Sequence, residues 1–289
     1  MISIVLSSFN NSKLLKKAID AILENKTKEK YELIIITSDK IIEDIVRKAN
    51  KKNKQVKLFE DPGKGKSYAL NFIFKTLKGR VWIFSEGNSY IGNNSLNEIL
   101  KLFEDERVGC ISGRPISLNP KNNLLGYWSH LLLDSAHKIR KELDTKGLFL
   151  ECSGYLFAFR DDITKNIPLN VADDSIIPYL VTKKGYKVKY AEKATVYVEN
   201  PQEIRTFINQ KVDAAKAHEA LEDYAPFFPK VKSFTNEVKK GTFLALAYPK
   251  NAKEFSWTIL LFFTRLYIWI KVKWEEKIMK KNVQNFLWF

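Results

Sequence analysis

Short apolar runs alternate with segments of helical period through the first half of the chain. The runs at 2–6, 31–37, 56–59 and 81–84 read as strands, and the stretches at about 13–24, 40–51 and 66–77 between them read as helices. Further strands are expected at 108–112 and 156–160, with 187–190 and 195–198 as a short pair near the end of the sheet. Residues 201–245 read as mostly helical and polar. Strand–helix alternation of this kind predicts an α/β layer fold with a mainly parallel sheet flanked by helices. Ligands of such sheets bind outside the carboxyl ends of the strands. The segments that directly follow strands, 7–11, 37–40, 61–66 and 85–89, are therefore the places where chemistry is expected.

The end of the chain breaks this pattern. Residues 255–270 are almost wholly apolar and aromatic, with Arg265 among them, and Lys271, Lys273, Lys277, Lys280 and Lys281 follow. A spanning helix needs about 20 apolar residues, which this run does not reach. Aromatic bulk beside a lysine cluster instead predicts an amphipathic helix lying in a membrane interface. A buried helix covering the core and a spanning helix are the alternatives. The chain then divides into a ligand-binding and catalytic part at 1–200, a helical acceptor-side segment at 201–245, and a membrane-interface segment at 246–289.

Composition narrows the class. The 289 residues carry 48 Lys and Arg against 33 Asp and Glu, a formal charge of +15, and 45% are hydrophobic, enough for a full core. Such a surplus attracts polyanions, whether nucleotide, anionic lipid or nucleic acid, without choosing among them. Cys110 and Cys152 are too few and too far apart in sequence for a disulfide framework or a zinc cage, which points to a reducing compartment. The first strand begins at residue 2 with no basic leader, so no signal peptide is expected. His130, His137 and His218 show no ligand spacing with carboxylates and read as structural.

Gly63-Lys64-Gly65-Lys66-Ser67, after a strand and before a helix, invites a phosphate-loop reading. It fails where such a loop must open on glycine, because Glu60 stands there and Pro62 removes a backbone donor. Four other stretches belong together: 3–11, then Gly65 to Asn71, then Phe84-Ser85-Glu86-Gly87-Asn88-Ser89, then Ala172-Asp173-Asp174-Ser175. In their order and spacing they resemble family 2 glycosyltransferases, inverting enzymes of GT-A-like, Rossmann-related fold, over roughly residues 1 to 215. The tail is similar to that of the membrane-associated members.

The resemblance implies roles. Phe9 would stack on the uracil of a UDP-linked donor and Asn11 would lie near its nucleoside. Asp39 would hydrogen-bond the base, or else cap the helix at 40–51. Lys66 would approach the donor diphosphate. Glu86 and Asn88 would hold a divalent cation, Mn or Mg, although Glu86-Gly87-Asn88 brings one carboxylate where the family has Asp-x-Asp. Asp174 matches the general base and Asp173 its acidic neighbour, one taking a proton and the other free to cap a helix. Processive members carry Gln-x-x-Arg-Trp; here Gln210 and Lys211 open the stretch on the acceptor side, and Asp213 and Ala214 replace Arg and Trp. The implied activity is transfer of one sugar from a nucleoside diphosphate sugar to a lipid-linked or cell-surface glycan acceptor, on the cytoplasmic face of the cell membrane and peripheral to it. The alternative is a catalytically impaired protein of the same fold that binds nucleotide or membrane. No nucleic acid partner is expected.

Overall fold

A computed structural model describes residues 1–8, 14–226, 228 and 237–278. The first half follows the expected alternation: β1 (Ile2–Ser7), α1 (Leu15–Glu24), β2 (Tyr31–Thr37), α2 (Lys40–Lys52), β3 (Val56–Glu60), α3 (Lys66–Ile73) and β4 (Val81–Glu86). These four strands lie parallel in the order β3-β2-β1-β4. β1, β2 and β4 read as near-continuous apolar runs because both their faces are covered, whereas β3 at the sheet edge is largely half-buried or exposed. Ile2, Ile4 and Leu6 of β1 pack on one side with Leu15, Ala18, Ile19 and Ile22 of α1. Val5 packs on the other with Ala69, Leu70 and Ile73 of α3. The period of two in the strand and the i, i+3, i+4, i+7 stripe of the helix meet in one core.

Beyond β4 come β5 (Ser89–Ile91), α4 (Ser95–Leu102), β6 (Val108–Ser117), α5 (Leu124–Thr145), β7 (Leu156–Arg160), α6 (Asp173–Lys183), β8 (Lys187–Val198) and α7 (Ile204–Glu219). The sheet completes as β4-β7-β6-β8-β5, and β7 runs antiparallel to both its neighbours. The sheet is thus mixed. The expected short pair at 187–190 and 195–198 is one strand, β8, paired in parallel with β6 through irregularities in register that absorb the intervening polar residues. Cys110 and Cys152, distant in sequence, meet in the core as free thiols with sulfurs 3.4 Å apart.

A third cluster lies outside the sheet. Tyr127, Trp128 and Leu131 of α5 pack with Phe207, Val212 and Ala215 of α7 and with Leu261, Ile268, Trp269 and Val272 of the terminal helix. After α8 (Thr242–Leu246), this helix, α9 (Ala252–Ile278), has two apolar faces. One is the packed face; the other leaves Phe255, Phe263, Leu266, Tyr267, Ile270 and Trp274 exposed. Its Ala252–Glu275 stretch is long and apolar enough to cross a membrane, which the run counted in the sequence was not. Lys216 of α7 is buried and ion-paired with Glu275 of α9, fastening the two helices together.

Candidate active site

The parallel strands β1, β2, β3 and β4 all open at their carboxyl ends on the same side, and the loops there are built for close approach. Gly87, after β4, donates its N–H to Ser7 O across 2.8 Å. A Cβ at Gly87 would meet Ser8 Oγ at 2.4 Å, so only glycine lets the two strand ends close. The loop after β3 turns through Gly63 and Gly65 at φ +72° and +98°, values that favour glycine. That turn delivers Lys66 as the first residue of α3.

Lys66 does not point into solvent. Its side chain is 15% exposed, with Nζ 3.2 Å from Asp173 Oδ2 and 3.6 Å from Glu86 Oε1. Burial alone would discharge it, but the attraction of Asp173, Glu86 and Asp174 outweighs burial and holds the ammonium well above the usual lysine range. Asp173 and Asp174 open α6 in its first turn, after the N-cap Ala172. Asp173 faces Lys66, and Asp174 Oδ2 accepts the Gly154 N–H at 3.1 Å. Burial raises the Glu86 carboxyl, Asp173 and Asp174 push it further, and Lys66 opposes them. The Tyr155 phenol is likewise pushed up by burial and by Glu86 and Asp174, with Gln210 of α7 opposing them, and its hydroxyl donates to Asn200 Oδ1 at 3.4 Å.

Glu86, Asp173 and Asp174 thus surround the single Lys66 ammonium. Lys66 is engaged by two of these acidic neighbours. Asn88 Oδ1 is buried without a hydrogen-bond partner, beside the strand end that carries Glu86. A carboxylate and an unpaired amide oxygen suit a hard divalent cation whose other ligands are phosphate oxygens and water. Among the described residues no group of three or more His, Cys, Asp or Glu would hold a metal alone. The residues fit a cation shared with a donor.

The other expected site residues fall as follows. Asp39 caps α2, its Oδ1 accepting the Ile41 N–H at 2.8 Å. Lys211 lies over the Phe207 ring at 5.7 Å, on the helix that carries Gln210. Phe9 and Asn11 lie outside the described residues. The structure adds Glu151, Tyr155 and His218. His218 does not have a purely structural setting: Nδ1 is 3.3 Å from Glu151 Oε2 and Nε2 is 3.8 Å from Asp174 Oδ1. Ser175 Oγ contacts both Glu151 and His218. Sequence spacing could not show this, since His218 stands 43 residues beyond Ser175.

Comparison with known proteins agrees with this geometry. The model of "Glycosyl transferase family 2" matches residues 3–167. Hyaluronan synthase of Streptococcus pyogenes is 26% identical over 161 residues, which are 51% of this chain and 38% of the synthase. The chain therefore spans well under half the length of the curated relatives it matches. Among solved structures, the mannosyltransferase PcManGT from Pyrobaculum calidifontis, in complex with GDP-Man and Mn²⁺, superposes with a TM-score of 0.61 at 17% identity. That alignment covers 96% of this chain and 88% of PcManGT. S. aureus TarS gives 0.51 at 13% identity, over 95% of this chain and 55% of TarS. At these identities the two structures show that the fold is shared.

Proposed function

The chain belongs to glycosyl transferase family 2 and is a glycosyltransferase, and from that premise we propose that it is an inverting enzyme in which Asp174 is the general base. The observation that carries the reading is the convergence of Asp174, Asp173, Glu86 and Lys66 at the carboxyl end of the parallel strands. An acceptor hydroxyl attacks the anomeric carbon from the face opposite the diphosphate. Asp174 takes its proton, and the departing diphosphate takes the bonding electrons. Lys66, fixed by two carboxylates, supplies a positive charge near the leaving oxygen. Glu86 and Asn88 would hold a divalent cation, Mn or Mg, which would supply positive charge to the diphosphate.

The donor is a nucleoside diphosphate sugar, with uridine the base that the motif resemblance implies and Asp39 the residue that bonds it. Gln210 and Lys211 lie on the acceptor side, and residues 1–200 form the donor-binding and catalytic part. A binding screen across UDP-, GDP- and dTDP-sugars, followed by donor hydrolysis with and without Mn²⁺, tests the reading. A chain that bound none of them would overturn it. Asp39→Ala is expected to weaken nucleotide binding, and Asn88→Asp to sharpen the Mn²⁺ response by adding a charged oxygen. Unchanged nucleotide affinity and metal response in both variants would remove these residues from the donor site.

The acceptor is a lipid-linked or cell-surface glycan, reached from the cytoplasmic face of the cell membrane by a peripherally bound enzyme. Support comes from α9. Packed on the body along one face, it offers an apolar, aromatic outer face next to Lys271 and Lys273. Each lysine near an anionic surface contributes about 1 kcal/mol. Removing the helix would strip the third core cluster, so the test is substitution on its outer face, where Phe263 is 65% and Ile270 59% exposed. The Phe263→Glu, Ile270→Glu double variant is expected to keep the parent's thermal melt and lose co-sedimentation with phosphatidylserine vesicles. Parental sedimentation would sink the interface.

A further inference from the structure

Behind Asp174 lies a buried chain of polar groups with a definite order of protons. Glu151 is 2% exposed, and as a carboxylate it only accepts hydrogen bonds. Ser175 Oγ gives Glu151 Oε2 its single proton, so only oxygen lone pairs remain to face His218. With Glu151 ionised and Ser175 donating to it, the close contact between Ser175 Oγ and His218 Nδ1 places the proton on Nδ1. Nδ1 also lies 3.3 Å from Glu151 Oε2, which favours the same tautomer. In the neutral ring Nε2 then carries a lone pair and faces Asp174 Oδ1. The two atoms are 3.8 Å apart, just beyond hydrogen-bond reach.

We propose that Glu151 and His218 are positioning residues for the general base, and that His218 Nε2 receives the proton Asp174 has taken. The inference rests on Asp174 acting as proposed above. The acceptor O–H proton passes to Asp174 as the glycosidic bond to the diphosphate breaks. The protonated Asp174 then donates to Nε2, closing the gap. The imidazolium that forms sits between two carboxylates, Glu151 and the regenerated Asp174, and loses its proton to water at the rim, where its side chain is 13% exposed. Glu151 fixes the tautomer through Nδ1. The Gly154 N–H holds the other oxygen of Asp174, so the carboxylate is oriented from both sides.

The test uses the full chain and the nucleotide sugar that it binds in the donor screen, with hydrolysis as the reaction. His218→Ala is expected to lower turnover on the order of 10²-fold, the loss that follows when a reacting group shifts by about 1 Å. Donor affinity should stay at the parent value, and added imidazole should restore part of the rate. A group that only packs would show neither the selective loss of turnover nor the rescue. Glu151→Gln should fall in the same direction. Independently of activity, ¹⁵N spectra of the three histidines, with His218 assigned by its absence in His218→Gln, should show the resting ring protonated at Nδ1 and bare at Nε2. Parental turnover in a folded His218→Ala protein, or a resting proton on Nε2, would overturn the relay. A parent that bound no nucleotide sugar would instead overturn the proposed function, and the ring spectrum would still decide the tautomer.

Discussion

Asp174→Asn is expected to give a folded protein that binds donor as the parent does and turns it over about 10²–10⁴-fold more slowly, the contribution general base catalysis usually makes. The substitution is nearly isosteric, and an amide placed with its carbonyl oxygen where Oδ2 stands still accepts the Gly154 N–H. What it loses is the capacity to accept a proton at neutral pH. Asp173→Asn should behave differently. Asp173 lies 3.2 Å from the Lys66 ammonium, so its loss removes one of the attractions that keep that lysine turned inward, and donor binding should suffer along with turnover. A turnover assay with matched thermal melts and donor titrations separates the two. Near-parental turnover in a folded Asp174→Asn protein would remove Asp174 as the base and transfer the role to Asp173.

The contrast between these two aspartates shows how far local sequence reaches. Their position at the start of a helix, after an apolar strand and before Gly185-Tyr186, marks them as a candidate site. Which carboxylate meets a cation and which meets a backbone amide depends on Lys66 and Gly154, brought in by α3 and by the turn before β7. The parallel half of the sheet was legible because doubly buried strands leave unbroken apolar runs. The second half was less so. β8 carries charged residues at Lys187, Lys189, Glu192 and Lys193, and reads as two fragments until β6 is known to lie beside it. The Glu151–His218 pair left no local trace, since its members come from a loop and from the far end of α7. Nor could periodicity reveal that α9 has one apolar face packed and another open, because both are apolar.

Those helices also set the largest expected effect on stability. Glu275→Leu should destabilise the fold by about 3–5 kcal/mol, because Lys216, 2% exposed on its side chain, loses the carboxylate that faces it. The Lys216→Met, Glu275→Leu double variant removes both charges and should recover most of the loss, since apolar replacements of similar volume are often neutral or better. Asp213, one turn before Lys216, adds a pH signature. Burial pushes its carboxyl up to about 6, Glu275 adds to the shift, and Lys216 and Lys271 oppose it. Between about pH 4 and 6 the folded chain keeps a proton on Asp213 that the unfolded chain has released, so this group makes stability fall as pH rises through that window. Without Glu275 the push on Asp213 weakens, and the window should narrow from its upper end. Urea unfolding of parent, single and double variants between pH 4 and 8 reads both effects. A single variant within about 1 kcal/mol of the parent at every pH would show that the Lys216–Glu275 pair does not hold α9 to α7.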